Sequence, residues 1–186
     1  MEARLAEIVR ATPWLMGALR AARGVDPPDW LLGGGAVRTA VWDRLHAFAD
    51  PPPPRDVDLV FFDPGDLSPE RDEAVERALR ERAPEIPWDS RNQAAVHLWY
   101  PDRFGYEVEP LTSSADAVGT WPETATAVAL HLDAADRLTI VAPCGLDDLL
   151  GLVHRRNPRR VSVAEYERRL RDKRIAERWP NATFVV

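Results

Sequence analysis

The sequence predicts an α/β (α+β) fold in which helices flank a β-sheet. Segments with helical and strand periodicity alternate from the N-terminus onwards, which is typical of layered α/β proteins. The 186 residues are 45% hydrophobic and 29% charged, a balance that suits one soluble domain with a sizeable core. We therefore expect a single domain over residues 1–186, with a core at about 25–142. N-terminal helices at 2–23 and C-terminal helices at 145–178 would complete it.

Composition narrows the class of protein. No apolar run approaches the roughly 20 residues that a membrane-spanning helix needs, so no membrane partner is expected. The start of the chain, MEARLAEIVRATPW, carries acids and lacks the pattern of a signal peptide. Cys144 is the only cysteine, which excludes an intramolecular disulfide. These features favour a cytoplasmic protein.

Charge is spread unevenly along the chain. The formal net charge is −6, with acids in excess over residues 51–125 and bases in excess over 151–186. A basic tail can bind nucleic acid. However, EYERRLRDKRIAERW mixes both signs at helical spacing, as the solvated face of a helix does. Nucleic acid is therefore the less favoured partner.

The first elements follow from capping signals and periodicity. Residues 2–23 have an apolar stripe with a break at Thr12-Pro13, which predicts two short helices in line. The apolar run Trp30 to Leu32 ends at glycines and predicts a buried strand. A helix from about Gly35 to Phe48 should follow, and the prolines of ADPPPPR then form a stiff loop.

The remaining elements are predicted in the same way. DVDLVFF is the clearest strand, and Ser68-Pro69 begins a helix to about Arg82. WDSRNQAAVHLWY indicates one long strand or two short ones, and TSSADAVGTWP a short helix. TAVALHLDAADRLTIVAP has the pattern of a C-terminal hairpin. Helices in GLDDLLGLVHRR and VSVAEYERRLRDKRIAERW and a last strand, TFVV, would complete the chain.

The glycine turn between the first strand and its helix is a candidate anion site. Gly33 ends the strand, and Gly34 and Gly35 open the helix, where free N–H groups and the helix dipole attract phosphate. Arg38, one turn further, could add a charged hydrogen bond. The sequence lacks both G-x-x-x-x-G-K-[ST] and G-x-G-x-x-G. Tight packing of a helix on a strand would explain the glycines equally well.

Two aspartates begin the next strand. Asp56 and Asp58 lie two residues apart and therefore on one face, with Val57 and Leu59 facing the core. Adjacent carboxylates repel each other unless a cation lies between them. Mg²⁺ takes one or two carboxylates together with substrate phosphates. A D-x-D at the start of a strand is a plausible metal clamp, although the motif alone is common.

Glycine turn and D-x-D together resemble the signature of the DNA polymerase β-like nucleotidyltransferase superfamily. The chain is identified as a member of an uncharacterised bacterial nucleotidyltransferase-like family within it. The segments that carry the resemblance are GGAVRTAVWDRLH, DVDLVFFD, NQAAVHLWY, WPETATAVAL and APCGLDDLL. The resemblance implies a mixed β-sheet flanked by helices.

The resemblance also implies roles for individual residues. Gly34 and Gly35, with Arg38, would bind the phosphates of a nucleoside triphosphate, and Asp56 and Asp58 would hold Mg²⁺ or Mn²⁺. The reaction would be in-line transfer of a nucleotidyl group with release of pyrophosphate. A carboxylate would take the proton of the acceptor hydroxyl. The acceptor stays unknown: a protein hydroxyl, an antibiotic, a sugar or an RNA end would all fit.

The third carboxylate of the superfamily pattern is not evident. The later strand offers Asn92 and Gln93 where an acid is expected, so Asn92 is considered as a cleft residue. Glu107 and Glu109 alternate suitably, and Asp133 lies at a predicted turn. Any of these three acids could complete the site.

Two other activities stay open. A chain that lacks the third acid could be a nucleotidyltransferase-fold module that binds nucleotide, or regulates a partner, without catalysis. The same aspartates could instead serve a divalent-metal phosphohydrolase. His97 could face the cleft from a strand, and Trp121 could stack on a base, but a structural role explains each as well.

Overall fold

The computed structural model describes all 186 residues. Helices form at most of the segments with helical periodicity. Their bounds are α1 Glu2–Arg10, α2 Pro13–Val25, α3 Gly35–Leu45, α4 Pro69–Arg82, α5 Val96–Phe104, α6 Ser114–Val118, α7 Asp147–Leu150, α8 Val163–Lys173 and α9 Ile175–Arg178. None of them combines the length and the apolar character needed to cross a bilayer.

Seven strands form two sheets. Their bounds are β1 Leu31–Gly33, β2 Val57–Phe61, β3 Trp88–Asn92, β4 Ala129–Leu132, β5 Leu138–Val141, β6 Val153–Arg155 and β7 Thr183–Val185. The main sheet has the order β3-β2-β1-β4-β5, and β6 and β7 form a separate parallel pair. Within the main sheet only β2 and β3 run parallel. The prediction of a mixed sheet flanked by helices is thus confirmed.

The two faces of the main sheet differ. Along β2, Val57, Leu59 and Phe61 join a core cluster of 31 buried residues that also includes side chains of α1 to α4. Val60 instead joins a small cluster of four buried residues on the opposite face. Asp58 belongs to that second face by the two-residue period of a strand. The predicted orientation of β2 is therefore confirmed.

Two segments differ from their predictions. The strand pattern of WDSRNQAAVHLWY ends at Asn92, and Gln93–Ala95 forms a 3₁₀ turn that continues into α5. The Asn92 side chain accepts a hydrogen bond from the Ala94 N–H at 3.1 Å and thereby caps that turn. His97 therefore lies on a helix, so its prediction as a strand residue was wrong.

The C-terminal part also departs from the prediction. GLDDLLGLVHRR was expected to be one helix, but α7 covers only Asp147–Leu150 and is followed by β6. His154, at the centre of β6, is buried, and its ring contacts those of Tyr166 and Phe184. β6 pairs in parallel with β7, so a strand of the second sheet stands where the sequence predicted that the helix would continue. The hairpin β4–β5 and the strand β7 form as predicted.

Candidate active site

A cleft of about 1240 Å³ opens beside the second face of the sheet. The glycine turn and both predicted aspartates line it, at Gly34, Gly35, Asp56 and Asp58. Residues from α5, from the Thr120–Glu123 segment and from α8 line the other sides. The cleft thus gathers residues that lie far apart in the sequence.

The backbone of the glycine turn lies close to the side chains that line the cleft. Gly34 is the N-cap residue of α3 and has φ of +66°, which strongly favours glycine. A Cβ added to it would lie 3.0 Å from Oδ2 of Asp58 and 3.5 Å from Cζ3 of Trp121. A Cβ added to Gly35 would lie 3.9 Å from Oδ1 of Asp56. The start of α3 and the two aspartates therefore face each other directly.

The first strand approaches its neighbour equally closely. A Cβ added to Gly33 would lie 2.6 Å from the Val128 carbonyl oxygen. Gly33 ends β1, as predicted, and pairs with Ala129 of β4. The tight-packing explanation of the glycines therefore holds for Gly33, whereas Gly34 and Gly35 border the cleft.

Asp58 is costly to ionise in this place. Burial, and the negative charges of Asp56 and Asp89, raise its pKa to about 7. No group of this chain forms an ion pair or a side-chain hydrogen bond with the carboxylate of Asp56 or Asp58. The folded chain thus presents adjacent acids without the cation that would compensate them.

Asp89 is a third acid that the sequence analysis did not identify. The parallel register of β2 and β3 pairs it with Asp58, and neighbouring strands lie roughly 4.8 Å apart. Trp88, Ser90 and Asn92 are buried on the core side, so Asp89 faces the cleft. The register of two strands is a tertiary property, which the sequence alone does not reveal. The alternation within WDSRN was the one available signal.

Asp89 also has unused hydrogen-bonding capacity. Nε of Arg91 lies 3.0 Å from Oδ1 of Asp89. The two groups form an ion pair but no hydrogen bond, so this buried oxygen has no hydrogen-bond partner. Such an orphaned acceptor can take a proton or a cation.

The residues predicted as the third acid or as a cleft residue differ in position: some line the cleft, and others stabilise turns outside it. Asn92 donates to the Asp63 and Asp66 carbonyls at 2.8 Å each and orders the turn after β2. Asp133 pairs with Arg137 in the β4–β5 turn, outside the cleft. Glu107 and Glu109 line the cleft from the exposed loop that follows α5. Of these acids, only Glu107 and Glu109 share the cleft with Asp56 and Asp58.

Arg38 reaches the cleft from α3. Its side chain is 6% exposed, and its guanidinium carbon lies 4.8 Å from the ring centre of Trp179 and 5.6 Å from that of Trp42. Burial lowers its pKa to about 10, and its buried Nε has no hydrogen-bond partner. Nη2 would lie 4.0 Å from a Cβ at Gly35. An unpaired cation therefore borders the glycine turn.

Two more cations come from α8. Arg169 and Lys173 lie one turn apart on one face of the helix and line the cleft. Nε of Arg169 donates to Oε1 of Glu123 at 2.9 Å, and Thr126 donates to Oε2 at 2.9 Å. Burial opposes ionisation of Glu123, but Arg169 outweighs it and the pKa of Glu123 is lowered. Glu123 therefore fixes Arg169, a pairing that the sequence analysis did not predict.

No group of three or more His, Cys, Asp or Glu side chains is arranged to hold a metal ion. Two carboxylates still fit the needs of Mg²⁺, which completes its shell with water and substrate phosphates. The raised pKa of Asp58 shows that the position favours an added positive charge. The donor set at Asp56 and Asp58 is therefore suited to a hard divalent cation.

Fold and cleft define a class of protein: an α/β domain in which a glycine turn at the start of a helix faces paired carboxylates. Comparison with known proteins gives the family. The sequence model of a nucleotidyltransferase family matches residues 20–184. The chain belongs to this family. No match was found among curated proteins.

Solved structures agree with this assignment. One is described as an NMR structure that reveals a CCA-adding enzyme head domain. It is 30% identical, with a TM-score of 0.78 over 97% of this chain and 93% of that chain. Two structures of a tRNA-processing enzyme, complex 3 and apo form 2, are 18% and 17% identical and share the fold, with TM-scores of 0.52 and 0.51. Both matches cover 91% of this chain, which spans only 43% and 44% of those chains.

Proposed function

We propose that the protein is a metal-dependent nucleotidyltransferase. It would transfer a nucleotidyl group from a nucleoside triphosphate to an acceptor hydroxyl and release pyrophosphate. The observation that carries the proposal is the meeting of Asp56, Asp58 and the Gly34–Gly35 turn in one cleft. Membership of a nucleotidyltransferase family supports it.

The glycine turn and the nearby cations would bind the triphosphate. Gly34 and Gly35 open an 11-residue helix, so their surroundings carry free N–H groups and a positive dipole end. Arg38 and Lys173 line the same cleft and form no ion pair, so both are free to bind phosphate oxygens. A nucleoside triphosphate provides the anionic groups that this arrangement lacks.

Asp56 and Asp58 would hold one or two divalent cations, Mg²⁺ or Mn²⁺. When bound, such ions stabilise the attacking and leaving oxygens of an in-line displacement. Asp58 loses its proton when a cation approaches, because the added positive charge offsets burial and the neighbouring acids. By holding the cation, the two side chains would help to orient the triphosphate at the nearby glycine turn.

Asp89 is the candidate for the third acid. In the proposed step the acceptor oxygen forms a bond to the α-phosphorus, and the bond from that phosphorus to the bridging oxygen of pyrophosphate breaks. The proton of the acceptor hydroxyl passes to Asp89, whose buried Oδ1 has no hydrogen-bond partner. Arg91, 3.0 Å away, would hold the Asp89 side chain in place.

A second candidate function is nucleotide binding without catalysis. The absence of a ready-made group of three metal ligands favours it. Such a module would bind a triphosphate at the glycine turn and release it unchanged. Turnover therefore separates the two functions, whereas nucleotide binding does not.

Incubation of the protein with α-labelled triphosphates, Mg²⁺ or Mn²⁺ and a cell extract tests the proposal. We expect label transfer by the wild type and at least about a 100-fold loss in Asp56→Asn, Asp58→Asn and Asp89→Asn. Asp50→Asn is a matched control, because Asp50 is exposed in the loop before β2 and outside the cleft. Binding of triphosphate with no transfer to any fraction of the extract would favour the second function. Equal transfer by all variants would refute the first.

A further inference from the structure

The cleft is larger than a nucleotide requires. Pockets for small ligands usually occupy about 300–1,000 Å³, whereas this cleft measures about 1240 Å³. The glycine turn and the aspartates line one part of it. Residues of α5, of the loop that follows it and of the segment 156–165 line another part. A second ligand therefore has room beside the first.

That second part is lined by an aromatic wall, which we define as Trp99, Tyr100, Phe104 and Tyr106. The ring centre of Tyr100 lies 4.4 Å from that of Phe104, 5.3 Å from that of Tyr106 and 6.0 Å from that of Trp99. The wall is nevertheless open to solvent, with exposed fractions of 37% for Trp99, 41% for Phe104 and 45% for Tyr106. Contiguous exposed apolar patches often mark binding sites, whereas scattered apolar side chains do not.

Two arginines border the wall. The guanidinium carbon of Arg160 lies 5.4 Å from the Tyr100 ring centre, and that of Arg103 lies 5.6 Å from the Phe104 ring centre. Neither arginine is paired with a carboxylate. The Tyr106 hydroxyl donates to the Arg160 carbonyl at 2.7 Å, which joins the wall to the segment 156–165. Nη2 of Arg160 donates to the Glu109 carbonyl at 3.3 Å. The wall is thus a surface of flat rings bordered by two arginines that have no carboxylate partner.

We propose that the aromatic wall binds the end of a single-stranded nucleic acid, which is the acceptor of the transfer reaction. Bases stack on aromatic rings without regard to sequence, and arginines contact the adjoining phosphates. Glu107 and Glu109 lie on the same side of the cleft and would repel a long run of phosphates. Stacking of one or two terminal bases therefore provides most of the affinity. The free hydroxyl of that end would point along the cleft towards Asp89.

The claim that the bound strand is the acceptor rests on the proposed function, but binding of single strands to the wall is tested independently. Fluorescent 12-nucleotide single strands of RNA and of DNA, and a blunt duplex, are titrated with the full chain at low salt, and anisotropy is measured. We expect the single strands to bind and the duplex to bind at least fivefold more weakly. Comparing the two single strands shows which sugar the site prefers.

Variants of the wall give the sharper result. Phe104→Ala and Trp99→Ala should each weaken single-strand binding about fivefold or more, since a stacked base loses its partner. Phe104→Trp should retain binding. Leu98→Ala is the matched control, because Leu98 is 55% exposed on the same helix but does not line the cleft. It should change binding by less than about twofold.

The outcomes separate this inference from the proposed function. Asp58→Asn should lose metal-dependent triphosphate binding yet bind the single strands as the wild type does. No binding at about 100 μM protein, equal binding of the duplex, or unchanged binding by both alanine variants would overturn the inference. Label transfer to a protein fraction alone would also overturn it and leave the proposed function standing. Single-strand binding without any triphosphate binding would support this inference and contradict the proposed function.

Discussion

Asp58 illustrates how a single side chain can be costly for folding and useful for binding. It lies partly buried beside Asp56 and opposite Asp89, and both neighbours raise its pKa. Lys173 and Arg169 offset burial and the neighbouring acids only in part, so the ionised form is less favourable in the folded state than in the unfolded state. A bound divalent cation would reverse that balance.

Asp58 should therefore make stability depend on pH. Its folded pKa of about 7 lies above the unfolded value of 3.8, so its stabilising contribution is complete below pH 4 and is lost as the pH rises through 7. We expect Asp58→Asn to be more stable than the wild type by about 1–3 kcal/mol at pH 8 with EDTA, and nearly equal to it at pH 3.5. Urea unfolding at the two pH values measures this. A variant that is destabilised equally at both would contradict the account.

Gly34 should tolerate no side chain. Its φ of +66° and the 3.0 Å approach of Asp58 Oδ2 to an added Cβ predict that Gly34→Ala destabilises the fold by about 1–3 kcal/mol. It should also abolish binding of a triphosphate. Gly17→Ala is the control: Gly17 is exposed in α2 with nothing within 4 Å of an added Cβ, so alanine should stabilise by about 0.5–1 kcal/mol. Thermal unfolding and nucleotide titration of both variants test this prediction. Equal stability and equal triphosphate affinity of the two variants would contradict it.

Local spacing predicted that Asp56 and Asp58 share a face, because the two-residue period of a strand is a property of the backbone. It also predicted that Gly34 and Gly35 open a helix. Asp89 and the fixed pair Glu123–Arg169 were not predicted, since they meet only through strand register and through the packing of α8. Whether these residues bind nucleotide and metal stays a prediction.

At the scale of elements, the C-terminal segment braces the helix that begins the site. Trp179 donates its indole N–H to Oδ1 of Asp43 at 2.7 Å, and Arg178 donates to Oδ2 at 2.9 Å. Asp43 belongs to α3, and the Trp179 ring lies against Arg38 of the same helix. The position of Arg38 at the glycine turn thus depends on residues 178 and 179.

Removal of this brace should be costly. Asp43→Ala leaves the buried indole N–H and Arg178 without their partner, so we expect a loss of about 2–4 kcal/mol in the free energy of unfolding. Triphosphate affinity should fall as well, because Arg38 loses its support. Asp172→Ala removes an exposed pair with Arg168 and should change stability by less than about 0.5 kcal/mol. Chemical unfolding of both variants tests the brace, and similar small losses would contradict it.

Elements with strong local signals were predicted well. The strand β2, the helix α4 after Ser68-Pro69 and the hairpin β4–β5 all lie where capping and alternation placed them. The helix over segment 96–104 was not predicted, because the valine and aromatic residues of this segment favour a strand by composition. Its helix begins behind the cap made by Asn92 and ends at Gly105, which is in the left-handed conformation. A side-chain cap and a tertiary environment override propensity there.

At the scale of the whole molecule, one face of the sheet packs on the main core and the other borders the candidate site. The cluster of 31 buried residues packs on the helical face, so the opposite face is left for a broad cleft. The same domain architecture occurs within longer chains, such as the tRNA-processing enzyme. Fold class could be predicted because alternating periodicity is local. The site could be predicted only where its residues adjoin in sequence.

The most direct test of the account is the affinity of the protein for Mn²⁺ in the presence of a non-hydrolysable triphosphate. Electron paramagnetic resonance of free Mn²⁺ measures it for the wild type, Asp58→Asn and Asp50→Asn. We predict that triphosphate strengthens Mn²⁺ binding in the wild type and in Asp50→Asn, and that Asp58→Asn loses at least about tenfold in affinity. Equal Mn²⁺ affinity in all three proteins would contradict the claim that Asp58 holds the metal.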